Sequence, residues 1–152
     1  MKLLLVDNSK SSRAVYTPML IDAFRRLGVD VIVCASRDDV AQQIQAKHTF
    51  DAVVLSGSSL NMSQSIEASS ISKDIMALLL FDDLPCLGVC FGMQLMSVVY
   101  GGEVERLEVE RDGFQELTVD HHKHTLLRPP KCSAFFHHQD VVTRPPPDFV
   151  VD

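Results

Sequence analysis

The stretch LGVCFGMQLM, Leu87 to Met96, decides how this chain is read. It sets a cysteine between two glycines, after one apolar run and before another. The run before it, LPCLGVC, is short and apolar and predicts a buried strand. The run after it, GMQLMSVVYGG, predicts a helix ended by Gly101 and Gly102. A strand that turns sharply into a helix needs small neighbours at the bend, and Gly88 and Gly92 supply them. This is the nucleophile-elbow pattern with sulfur in place of a serine oxygen, and it holds Cys90 clear of the sheet. The following helix points its N-terminus at the sulfur, which favours thiolate. The competing reading is a structural cysteine on a glycine-softened turn.

Upstream, strand and helix signals alternate. LLLVD (3–7) predicts a strand buried on both faces. TPMLIDAFRRLG (17–28) predicts a helix capped by Thr17, with Pro18 in its first turn and Gly28 at its end. Met19, Leu20, Ala23, Phe24 and Leu27 are its expected inner stripe. VDVIVCA predicts a second strand, RDDVAQQIQAKH a second helix and DAVVLSG a third strand. A Ser-rich stretch (58–70) reads as an exposed loop, and ISKDIMALLLF as a third helix. The alternation implies a doubly wound, mostly parallel α/β sheet with helices on both faces. After Gly102 the pattern changes to alternating apolar and charged residues. That suits a small antiparallel hairpin region, with Asp112-Gly113 as a turn candidate. Residues 1–152 are expected to form one domain.

Composition narrows the function. A net charge of −6 argues against nucleic acid and against anionic membrane as partners, since both call for a basic surface. No apolar run approaches the length that spans a bilayer. Four cysteines without dense spacing (Cys34, Cys86, Cys90, Cys132) fit a reduced, cytoplasmic protein. The histidines of HHKH (121–124), with Cys132, His137 and His138, match no zinc spacing and read as solvated hairpin residues, so no metal and no cofactor is expected.

GVCFGMQ resembles the Gly-x-Cys-x-Gly-x-Gln motif of the class I, triad-type glutamine amidotransferases. LLLVDNSKS resembles the opening strand of that family, AVVLSGSS its oxyanion strand, and HHQDVVTRPPPDFVV its His-Gly-Asp segment. The flanks are most similar to the amidotransferase domains of GMP synthetases. The resemblance implies a flavodoxin-like fold and a chemistry in which cysteine attacks the side-chain amide of L-glutamine and ammonia leaves. It implies Cys90 as nucleophile and the N–H groups of Gly57 and Phe91 as the oxyanion hole. Gln94, together with Gly57 and the segment marked by His137, Gln139 and Asp140, is implied to hold glutamine. A separate synthetase of the ATP-pyrophosphatase type is the implied partner. SGSS lacks the family's second glycine and its proline, and Gln139 replaces a glycine.

The family supplies the base and its orienter as a His-x-Glu motif, which this sequence does not contain before Asp152. His138 and Asp140 share a strand face and form a surrogate base pair on paper. Two rival readings follow: an impaired homologue with a binding or regulatory role, and a cysteine hydrolase on a related α/β scaffold. A signalling receiver is excluded, because Leu55-Ser56-Gly57 stands where its phosphoacceptor aspartate would end the third strand.

Overall fold

The computed structural model describes residues 1–9, 16–64, 68–118 and 131–150. Four parallel strands form its main sheet: β1 (Lys2–Val6), β2 (Asp30–Cys34), β3 (Ala52–Leu55) and β4 (Cys86–Gly88). They lie in the order β2-β1-β3-β4. The central register sets Val6 beside Cys34 on one side and Leu55 on the other. Leu3, Leu4, Leu5 and Val6 are all buried, as expected of a strand covered on both faces.

Two apolar layers sandwich the sheet. Leu3, Leu5, Val31 and Val54 face Leu20, Ile21 and Phe24 of helix α1 (Tyr16–Arg26). Leu4, Val6, Val53 and Leu55 face the other three helices: α2 (Arg37–Gln42), α3 (Ala68–Leu80) and α4 (Phe91–Val99). Phe81 packs edge-on to Phe50 in that second layer. The expected fold, helices on both faces of a parallel sheet, is the observed one.

Local expectations fare unevenly. Tyr16 is already helical, so Thr17 lies inside α1 and does not cap it. The Thr17 hydroxyl instead donates to Asp7 Oδ1 at 2.9 Å and ties the helix to the end of β1. The inner stripe is Leu20, Ile21 and Phe24, while Met19 and Leu27 stay exposed. The stripe is turned by about one residue from the expected line, which a 100° step per residue explains. Helix α2 does carry a reciprocal cap: Ser36 accepts from the Asp39 N–H, and Asp39 accepts from the Ser36 N–H. The expected second helix breaks into a 3₁₀ turn (Ile44–Thr49). The Ser-rich stretch is only partly an exposed loop. Leu60 and Met62 pack against the core, and residues 68–70 belong to helix α3.

Beyond Gly102, β5 (Glu103–Thr118) and β6 (Lys131–Arg144) pair antiparallel over most of their length. Asp112 and Gly113 make no turn. They lie inside β5, where Gly113 pairs with Phe136 and has φ 118°. Asp-Gly signals a hairpin only where the chain reverses, and here glycine relaxes a long twisted strand. The His121–His124 run lies outside the described residues. Among the described residues no helix is long and apolar enough to cross a membrane, and no group of metal-ligating side chains assembles.

One polar cluster interrupts the core. Asn8 Nδ2 donates to Asp74 Oδ1 at 2.7 Å and to the Ser56 carbonyl at 3.1 Å. Asp74 is fully buried, and burial pushes its carboxyl above the ordinary range against the opposing pull of Asn8 and of the Lys73 charge. A raised native-state pKa means that the folded protein holds the proton more tightly than the unfolded chain. This stabilisation is full below the unfolded value of 3.8 and is lost as pH rises through the raised value. Asp74→Asn keeps the acceptor for Asn8 and removes the ionisation. The variant is expected to gain stability relative to the parent as pH rises from about 4 to about 7. Urea midpoints across that range check this, and a difference that does not grow with pH contradicts it.

Candidate active site at the Cys90 elbow

The elbow exists because two backbones touch. The Val89 N–H donates to the Leu55 carbonyl at 3.0 Å, which carries the chain out of β4 alongside β3. The chain then reverses at Cys90, with φ 51° and ψ −109°, and α4 starts at Phe91. A non-glycine residue with φ in this region costs on the order of 1–3 kcal/mol and persists only where surrounding contacts dictate it. The contacts are plain. A Cβ on Gly92 would stand 2.3 Å from the Leu55 carbonyl oxygen, and one on Gly88 2.5 Å from the Met93 nitrogen. Neither position admits a side chain while α4 rests its first turn on the ends of β3 and β4.

The bend presents Cys90 to solvent, whereas Cys34 is buried and Cys86 and Cys132 are half-buried; all four are free thiols. Gly57, just past the end of β3, lies against the elbow, since a Cβ there would be 3.6 Å from the Cys90 Cβ. The Phe91 N–H bonds the Cys90 sulfur and favours its thiolate, as a helix N-terminus should. Yet the thiol pKa is raised, not lowered. Desolvation is the largest cause, and the negative charge of Asp140 adds to it. The expectation of a helix-activated thiolate is therefore corrected. For Cys34 and Cys86 burial pushes the thiol further, up to about 11.

Strand β6 closes the site. Asp140 is 2% exposed. Its carboxylate accepts from the Ser63 N–H at 2.7 Å and from the Ser63 hydroxyl at 2.6 Å. Its carbonyl accepts from Gln94 Nε2 at 3.0 Å and from His138 Nδ1 at 2.8 Å. The surrogate pair is thus not formed as carboxylate and imidazole: His138 meets the backbone of Asp140, and Ser63 takes the side chain. Among the described residues no histidine is hydrogen-bonded to Cys90.

Gly57 and Phe91 lie against Cys90, and Gln94 reaches the Asp140 carbonyl. His137 and Gln139 alternate to the opposite strand face. His137 lies 3.3 Å from Asp112, and Gln139 accepts from Arg106 and donates to the Leu107 carbonyl. Ser63 is the residue that sequence reasoning missed, and no local signal marks it. A cavity of about 690 Å³ opens elsewhere, at the ends of β1 and β2 beside Lys73. No elbow residue lines it, so its size does not make it the site of the cysteine chemistry.

Comparison with known proteins gives the family. The family described as glutamine amidotransferase class-I matches residues 4–152. The chain belongs to that family. A GMP synthase (glutamine-hydrolyzing) of Fusobacterium nucleatum is 31% identical over 138 residues, covering 90% of this chain and 26% of the relative. A separate GMP synthase (glutamine-hydrolyzing) subunit of Sulfolobus acidocaldarius is 27% identical over 136 residues, covering 88% of this chain and 68% of the relative. The crystal structure of a GMP synthase subunit from Thermoplasma acidophilum superposes with a TM-score of 0.74 at 24% identity. It covers 99% of this chain and 70% of the other, and it bears on the fold alone. The chain spans about a quarter of the length of the F. nucleatum relative.

The contact that builds the elbow is directly testable. Gly92→Ala forces a methyl group into the Leu55 carbonyl, where only backbone movement relieves it. A loss of about 1–3 kcal/mol in urea unfolding is expected, together with an altered rate of Cys90 alkylation. Stability unchanged to within about 0.5 kcal/mol contradicts the close approach.

Proposed function

We propose that this single domain is a glutaminase that converts L-glutamine and water to glutamate and ammonia through a thioester on Cys90. The observation that carries the reading is the elbow itself, with the Gly57 backbone and the Phe91 N–H beside the only exposed cysteine among the described residues. The sulfur adds to the side-chain amide carbon of glutamine. The oxyanion accepts hydrogen bonds from Gly57 and Phe91. The C–N bond then breaks and the nitrogen leaves as ammonia, taking the thiol proton. Water adds to the glutamyl thioester, the C–S bond breaks, glutamate departs and the thiol regains a proton. Backbone groups at His137, Gln139 and Asp140 hold the amino-acid end of the substrate. The Gln94 side chain is already committed to the Asp140 carbonyl and the Asp140 side chain to Ser63, so both act by shaping that wall.

The names of the relatives, GMP synthases, support ammonia delivery to a synthetase. The second reading, an impaired homologue with a binding or regulatory role, draws on one observation. The Cys90 thiol is raised, and no described histidine hydrogen-bonds it. General acid–base assistance is worth about 10² to 10⁴ in rate, so a 152-residue chain lacking it turns over slowly.

Ammonia release decides between the readings. Slow release by the 152-residue chain is expected. It should rise when free imidazole is added as a diffusible base, and it should vanish in Cys90→Ala with or without imidazole. Release that survives Cys90→Ala overturns the mechanism. No release under any condition favours the impaired homologue. Fast release that disappears in His138→Ala would make His138 the base.

A further inference from the structure

The side chain of Asp140 faces inward. It sits on β6 beside the elbow, where a carboxylate looks suited to holding the ammonium of an amino acid. Both its oxygens are instead occupied by one residue, Ser63, at 2.7 Å and 2.6 Å. The carbonyl of Asp140 is held from below by Gln94 of α4 and from the side by His138. Three segments distant in sequence therefore meet at one buried residue: the stretch after β3, the first turns of α4, and β6.

The stretch after β3 is short. Gly57, whose N–H is the proposed oxyanion donor, and Ser63, which binds Asp140, lie six residues apart on it. Ser58 stands where the family carries a second glycine, and this sequence has no proline there to stiffen the chain. Between the two ends, the Ser58 hydroxyl accepts from the Leu60 N–H at 3.1 Å, and Leu60 and Met62 pack against the core. At one end Ser56 is tied to Asn8 through the Asn8 N–H. At the other end the tie is the Ser63–Asp140 pair.

We infer that Ser63 and Asp140 form a clasp that holds the 57–63 segment against the Cys90 elbow, making Ser63 a positioning residue for the oxyanion hole. The inference rests on the amidotransferase reading for its consequence in catalysis, but the clasp itself is a property of the fold. Hydrogen bonds from a neutral donor to a buried carboxylate are among the stronger ones. The pair also explains how a carboxylate is tolerated in this place, because two donors offset its desolvation. Its charge is not inert, since it acts on the thiol beside it. Loop positioning and nucleophile acidity thus depend on one side chain.

Three variants test the clasp. Ser63→Ala removes one of the two donors to the carboxylate, Ser63→Thr keeps the hydroxyl, and Asp140→Asn keeps the size and removes the charge. Amide hydrogen exchange at residues 57–63 reads the clasp without reference to glutamine. Ser63→Ala should exchange there about tenfold faster, with β1 and β3 unchanged, and Ser63→Thr should restore the parent rate. Inactivation by a chloroketone analogue of glutamine, whose carbonyl would occupy the oxyanion hole, reads the consequence. Ser63→Ala should lower the maximal inactivation rate about tenfold or more and change the half-saturating concentration less. Its rate with iodoacetamide, which needs no oxyanion hole, should stay near that of the parent. Asp140→Asn should move the pH midpoint of Cys90 alkylation downward, because a negative charge leaves the neighbourhood of the thiolate.

Unchanged exchange at 57–63 in Ser63→Ala overturns the clasp. Faster exchange with an unchanged inactivation rate overturns the positioning role. A parent protein that the chloroketone does not label overturns the amidotransferase reading, and hydrogen exchange still decides the clasp.

Discussion

The site depends on one close contact, the first turn of α4 resting on the carboxyl end of β3. Gly92 has no side chain, so its backbone comes within touching distance of the Leu55 carbonyl, and that carbonyl also receives the Val89 N–H. Once both contacts are made, the chain between β4 and α4 has too little length to turn in an ordinary conformation. Cys90 takes the strained φ, and its side chain is held out at the carboxyl edge of the sheet. The same contact sets the first N–H of α4 beside the sulfur and brings Gly57, two residues past Leu55, against it. The reactive geometry is a consequence of packing, and the glycines serve the packing first.

The electrostatics run against a simple picture of activation. A helix N-terminus does favour the thiolate, through the Phe91 N–H. Desolvation by burial, and after it the Asp140 charge, outweigh it. Such a nucleophile is reluctant in the absence of a base. The acid on β6 binds Ser63 in the segment after β3, and its charge opposes the thiolate.

The sequence made the sheet legible because parallel strands buried on both faces are short apolar runs, and LLLVD, VIVC, AVVL and LPCLG all have that form. The elbow was legible for a related reason: both glycines that permit it lie within two residues of Cys90. What stayed hidden depends on partners far along the chain. Thr17 looked like a cap because nothing local shows that Asp7 would claim its hydroxyl. Asp112-Gly113 looked like a turn because the pairing of Gly113 with Phe136 is set by β6. Ser63 carried no signal at all, since its partner is 77 residues away. The thiolate expectation failed for the same reason. The helix N–H that favours the thiolate adjoins Cys90 in sequence, whereas burial, the largest opposing cause, and the Asp140 charge that adds to it are set only by the folded chain.

The central claim is that the elbow gives Cys90, and no other cysteine, a pocket for a glutamine-shaped electrophile. Peptide mass spectrometry after limited treatment with a chloroketone analogue of glutamine tests it most directly. Modification is expected at Cys90 alone, suppressed by excess L-glutamine, with Cys34, Cys86 and Cys132 untouched. Modification spread over several cysteines, or labelling of Cys90 that glutamine does not protect, would contradict it.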